Sequence, residues 1–208
     1  EAVAEAIEGI DDGTPDFEID SLRTWREERL NAMRMAYAIL YAWGGVPVLW
    51  SGDELAQFND PNWDTEPGHE HDTRWAGRPV LDQVRMNNRH DRNTIEGRVF
   101  TELEHMAKVR ASLPQLSADV RTQIAPVDDD GVLVTYRDHP RGSFVGVYNA
   151  TPDWRSIPAW RLAEYGVLGA VGALTNTVPF GSASLAGAGD GQVPVPPYAA
   201  WWLVRSTD

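Results

Sequence analysis

Apolar residues recur at three- and four-residue spacing through Leu22, Trp25, Leu30, Met33, Tyr37, Leu40 and Tyr41, which is the period of an amphipathic helix. Asp20 or Ser21 can cap its start, and the pattern carries the helix to about Trp43. Gly44 and Gly45 then supply a positive-φ stop. Val46 to Trp50 (VPVLW) is a short apolar run of the kind found in a strand buried on both faces. After Ser51 and Gly52 comes a loop of about 25 residues with little apolar periodicity, long enough to be functional, and its tryptophan and arginine clusters favour order. A second helix is predicted over Thr94 to Ser112, with Val99, Phe100, Leu103, Met106, Ala107 and Arg110 recurring and Pro114 just beyond its end. It should pack back against the strand.

The flanks read differently. Residues 1–19 are acidic, with a short helix predicted over Ala2 to Ile7 before the turn-rich IDDGTPD. From Leu116 onward, short runs with strand character (VLVTYR, FVGVYNA, VGALTN, YAAWWLV) alternate with turn-forming DDDG, DHPRG, NATPDW and GAGDGQ. They predict an antiparallel β-domain, a sandwich of about 90 residues. The stretch Gly181 to Gly191 reads as one mobile loop.

Composition narrows what the chain can do. With 208 residues, 42% of them hydrophobic, and nine Trp, it can bury a core. A net charge of −13 repels nucleic-acid backbones and anionic membranes, whereas a neutral polar ligand such as a sugar meets no such barrier. The absence of cysteine excludes disulfides, thiolate catalysis and Cys-based zinc sites. The opening EAVAEAIEGIDDGTPD has neither the basic start nor the apolar run of a secretion signal, which points to the cytoplasm. A start at Glu1 rather than Met is expected of a piece of a longer protein.

Several groups can carry chemistry. Asp53 and Glu54 follow the apolar run on its C-terminal side, where parallel-sheet enzymes gather reactive groups. Adjacent carboxylates on an extended chain point apart, so loop-pinning hydrogen bonds come before catalysis for this pair. His69-Glu70-His71-Asp72 has metal-ligand residue types, but no second cluster completes a site and no metal is assigned. In TRWAGRP, Arg74 and Arg78 flank Trp75, close to Asp72. An arginine held bidentately by a carboxylate makes a rigid pocket floor, and an indole beside it suits a sugar ring; a loop-anchoring salt bridge under Trp75 fits the same spacing. Trp154, Trp160, Trp201 and Trp202 read first as sandwich core, with YAAWWLV burying one face, and second as a sugar-stacking surface. Asn149-Ala150-Thr151 matches a glycosylation sequon.

The strings GGVPVLWSGDEL, FNDPNWD, HDTRWAGRP and RNTIEGRVFTELEHMAKVRASLPQL together resemble the last third of an amylosucrase, a sucrose-acting member of the α-amylase superfamily (glycoside hydrolase family 13). The resemblance covers about residues 20 to 116 and continues more loosely to VPVPPYAAWWLV, which is similar to the closing strand of that superfamily's C-terminal domain. It implies an α/β plus all-β fold. Residues 1–116 would be the end of a (β/α)8 TIM barrel, and residues 117–208 an antiparallel β-sandwich C-terminal domain. Val46 to Trp50 would be the eighth strand, residues 51–79 the eighth βα loop and Thr94 to Ser112 the final helix. Arg74 falls on the arginine that pairs with an aspartate from the N-terminal half of the barrel and closes the glucosyl pocket. Asp53, Glu54, Asp72 and Trp75 would shape that pocket.

The same resemblance implies retaining transfer of glucose from sucrose to an α-1,4-glucan or to water, with release of fructose and no metal or nucleotide cofactor. An aspartate nucleophile, a glutamate acid/base and a third aspartate in a His-Asp motif would lie on earlier strands, the reacting carboxyls about 5 Å apart. His71-Asp72 and His90-Asp91 both follow the eighth strand, so neither is that motif. The catalytic carboxylates are missing from this chain, and alone it is expected to be inactive. A sucrose hydrolase, a trehalose synthase or a non-catalytic carbohydrate-binding fragment stays open beside the transferase.

Overall fold

A computed structural model describes residues 16–167, 171–175 and 191–204; the helix expected over Ala2 to Ile7 and nearly all of the Gly181 to Gly191 loop lie outside them. The first helix, α1 (Asp16–Ala42), begins four residues before the expected cap and ends one residue before Trp43. Its inward stripe holds Leu30, Met35, Ala38, Tyr41 and Ala42. Gly45, at φ 78°, makes the turn after it.

The apolar run that follows is not a strand. Residues 46–50 join no ladder, and Val46, Val48 and Trp50 are 79%, 68% and 49% exposed. Only the alternate positions turn inward, with Leu49 packing on the helical core. A strand buried on both faces needs neighbours on either side, and every strand among the described residues is paired antiparallel elsewhere. The expected burial of this segment, and with it the end of a barrel, is therefore not formed by the described residues.

Downstream, the chain makes 3₁₀ turns at Asp53–Leu55, Trp63–Thr65 and Thr73–Gly77 and a short helix, α2 (Gln83–Asn88). Helix α2 is too short to show a period along the sequence; Asp82 caps it by accepting from the Val84 and Arg85 amides. Helix α3 (Ile95–Ser112) starts where expected, with the Thr94 hydroxyl accepting from the Gly97 amide at 3.1 Å. Val99, Leu103 and Met106 pack against α1. At the rim Arg98 holds Glu27 bidentately, both contacts at 2.6 Å, and Arg34 pairs with Glu102.

The remainder is antiparallel, as its alternation predicts. Strands β1 (Gln123–Ala125), β2 (Val132–Arg137), β3 (Phe144–Asn149), β5 (Val171–Thr175) and β7 (Ala200–Val204) form one sheet in the order β1-β2-β3-β7-β5. Strands β4 (Arg155–Pro158) and β6 (Gln192–Val195) form a second, two-stranded sheet. The large sheet is covered on both sides. Phe144, Tyr148, Ala200 and Trp202 join the helical core, while Val145, Val147, Trp201 and Leu203 pack with Ile157, Val193, Val195 and helix α4 (Ala159–Glu164). This corrects the expectation that YAAWWLV buries a single face. Among the described residues, no helix is long and apolar enough to cross a membrane.

Candidate functional site

The long loop is anchored at its start by the two carboxylates that the sequence singled out. The Gly52 amide donates to Glu54 Oε2 at 2.9 Å, and Leu55 is fully buried beneath the turn. Tyr37 of α1 hydrogen-bonds Asp53; burial and this carboxylate raise the tyrosine's pKa above its ordinary value. Further along, Gln57 bridges the two arms of the loop, donating to the Val80 carbonyl at 2.5 Å and accepting from the Asp82 amide at 3.2 Å. The Asp60 amide reaches the Ala76 carbonyl at 2.8 Å. The loop closes on itself, and its middle is held to its root.

That middle carries a single compact turn. Asp72 caps the 3₁₀ turn Thr73–Gly77, accepting from the Arg74 amide at 3.1 Å, from Arg74 Nε at 2.7 Å and from Arg74 Nη2 at 2.8 Å. The hydrogen bonds from Arg74 hold the Asp72 carboxyl down at about 2. His69 stacks on Trp75 with ring centroids 3.9 Å apart, and the Arg78 guanidinium lies 5.2 Å from Trp75 and 6.0 Å from Trp50. Asp72, Arg74 and Trp75 thus come together. Asp53 and Glu54 serve the root of the loop, with no hydrogen bond or ion pair to this turn among the described residues. The carboxylate that holds Arg74 here is its own neighbour, and the arginine side chain is 73% exposed.

The other candidates separate. Glu70 accepts from the Gly68 amide at 2.8 Å and His69 Nδ1 lies 3.2 Å from the Trp63 carbonyl, so the His-Glu-His-Asp run does not converge. Among the described residues, no group of three His, Asp or Glu is placed to hold a metal ion. Trp201 and Trp202 are buried on opposite faces of the sheet, whereas Trp154 and Trp160 are 55% and 59% exposed. Asn149 of the sequon is fully buried, its amide donating to the Asp153, Val195 and Pro196 carbonyls.

Two arginines escaped the role that they have. Arg137, fully buried in β2, donates to the carbonyls of Ala42, Trp43, Ser117 and Val120. Arg110 of α3 donates to those of Tyr41 and, at 2.7 Å, Gly45. Together they satisfy the orphan carbonyls at the end of α1 and place positive charge on its negative pole. Burial lowers the pKa of both, and for Arg137 the charge of Arg110 adds to the effect. The sequence held one signal: Arg137 stands two residues after Thr135 and four after Leu133 in VLVTYR, on the face that a helix covers.

Residues 122–204 match the family model described as the C-terminal domain of amylosucrase. They form an amylosucrase C-terminal-like domain. Solved structures share its arrangement. The trehalulose synthase of Pseudomonas mesoacidophila MX-45 aligns with 84% of this chain and 38% of its own, at 14% identity and a TM-score of 0.58. The Bacillus licheniformis trehalose-6-phosphate hydrolase aligns over 85% and 39%, at 13% identity and a TM-score of 0.58. A cyclic α-maltosyl-(1→6)-maltose hydrolase from Arthrobacter globiformis aligns over 85% and 30%, at 15% identity and a TM-score of 0.51. This chain spans 30% to 39% of their length. In this chain the amylosucrase C-terminal-like domain shares a core with α1 and α3, so the long loop is hung from that core.

Proposed function

We propose that this chain is the C-terminal part of an amylosucrase-like glucosyltransferase, with residues 1–116 closing a (β/α)8 barrel and residues 117–208 forming the domain behind it. The observation that carries this reading is the placement of the Asp72–Arg74 pair, on a loop that follows an apolar, unpaired segment and is rooted on an amylosucrase C-terminal-like domain. Val46, Val48 and Trp50, exposed on the side away from the helical core, would face the inside of such a barrel, and the unpaired backbone of residues 46–50 would take its neighbouring strand.

In this reading the chain supplies one wall of a glucosyl pocket. Asp72 takes two of the five N–H donors of the Arg74 guanidinium and fixes its plane. The remaining donors are open to a sugar hydroxyl or to a carboxylate brought by the rest of the barrel. Asp53 and Glu54 pin the loop root, and Trp75, stacked on His69, stiffens the turn. A carboxylate outside this chain would displace fructose from sucrose, forming a glucosyl ester that an α-glucan hydroxyl or water then opens, with retention at the anomeric carbon. Sucrose and α-glucan are the substrates.

Fructose release from sucrose by the intact enzyme tests this. Arg74→Ala should lower turnover by about a hundredfold or more, and the 208-residue chain alone should release no fructose above background. An Arg74→Ala enzyme of undiminished turnover removes the pocket role.

A further inference from the structure

The Asp72–Arg74 contacts lie within one turn, so they fix the plane of the guanidinium but not the place of the turn. That place is set by the residues that follow Arg74. The Ala76 carbonyl accepts from the Asp60 amide at 2.8 Å, which ties the turn to the first arm of the loop. Gly77 lies against the edge of the Trp50 indole, where an added Cβ would stand 3.0 Å from Trp50 Nε1. The Arg78 guanidinium lies over the Trp50 and Trp75 rings, 6.0 and 5.2 Å from their centroids. Its amide donates to the Trp75 carbonyl at 2.9 Å.

Trp50 ends the unpaired apolar segment 46–50, and Trp75 sits inside the turn Thr73–Gly77. Arg78 therefore joins a residue ahead of the loop to the residue beside Arg74. A planar, weakly hydrated guanidinium can lie flat on an aromatic face, which a lysine ammonium cannot. At an exposed position such a contact adds little to global stability. Its effect is on where the turn sits.

We propose that Arg78 is a positioning residue for Arg74: with Trp50 and Gly77 it clasps the Arg74 turn to the end of segment 46–50, so that the pocket arginine keeps its place relative to the barrel. The proposal rests on the glucosyl-pocket reading, in which Arg74 meets the sugar and segment 46–50 is the last barrel strand. Arg78 acts through Arg74 and not on the sugar. A group that stabilises a transition state must be in place before the reaction begins, and a misplacement of about 1 Å costs on the order of a hundredfold in rate.

Two measurements test the clasp. In the 208-residue chain, amide exchange followed by NMR at Trp75 and residue 78 should quicken about fivefold in Arg78→Ala and in Trp50→Ala, and less in Trp50→Phe, which keeps a ring, while helix α3 exchanges as before. In the intact enzyme, Arg78→Ala should lower kcat on sucrose about tenfold or more and change KM under about twofold. Arg78→Lys should restore only part of the loss. In an Arg74→Ala background, Arg78→Ala should have no further effect. Unchanged exchange in Arg78→Ala overturns the clasp, and equal fold losses with and without Arg74 overturn its action through that residue. An Arg74→Ala enzyme of undiminished turnover removes the pocket reading instead, and the exchange result then decides the clasp alone.

Discussion

At the scale of single residues, two polar side chains show how burial decides a role that composition leaves open. Asn149 belongs to a sequon, yet its amide is fully buried and donates to three carbonyls. Asn149→Ala would leave those acceptors unpaired, at a cost on the order of 3 kcal/mol measured by urea unfolding. Asp72 is the reverse case, an accessible group whose partner is a neighbour in sequence. Its pKa is depressed to about 2 by the hydrogen bonds from Arg74. The pair's contribution is therefore complete above the ordinary carboxylate pKa near 3.9 and is lost as pH falls from there toward 2. A carboxyl-carbon NMR titration should find a midpoint near 2 that returns toward 3.9 in Arg74→Ala. The Arg74-Asp72-Trp75 group was legible because its members lie within four residues of one another. Arg137 was not, because its four carbonyl partners are spread over Ala42, Trp43, Ser117 and Val120.

Among the elements, α1 and α3 were legible because a 3.6-residue period needs only local sequence. The run Val46 to Trp50 misled for a related reason: apolar character states that a segment seeks burial, not what buries it. Helix α3 also contains a constraint beyond its period. A Cβ added at Gly97 would sit 2.0 Å from the Asp91 carbonyl oxygen, so the turn that feeds the helix can pack on its first turn only against glycine. Alanine would gain about 1 kcal/mol of helix propensity, but the contact is with backbone and cannot swing away. Gly97→Ala should therefore destabilise by about 2 kcal/mol net, seen as a lowered midpoint in urea. An unchanged or raised midpoint would mean that the Asn88–Asp91 turn is free to move.

For the whole molecule, the change of texture near Leu116 marks where helices give way to strands, while the core runs across it. Phe144, Tyr148, Ala200 and Trp202 from the sheet pack with Leu30, Tyr41, Leu103 and Met106 from the helices. Arg137 adds a polar tie between β2 and the end of α1, directly ahead of the Gly44-Gly45 turn and the pocket loop. Arg137→Met should cost on the order of 3 kcal/mol by stranding buried carbonyls. It should also speed amide exchange over residues 43–50 more than in the distant β4–β6 ribbon; uniform acceleration would deny it a positioning role. Sequence by itself determined the two long helices, the antiparallel alternation and the amylosucrase-like strings, since each is set by residues close together in the chain, whereas it left the partner of Arg74 open and the structure shows Asp72 holding it. Only the tertiary structure decided that both faces of the large sheet are buried, that Trp202 is core while Trp154 and Trp160 meet water, and that a strand arginine caps the first helix. Those outcomes depend on which distant surfaces exclude water from one another, and spacing along a chain does not encode that.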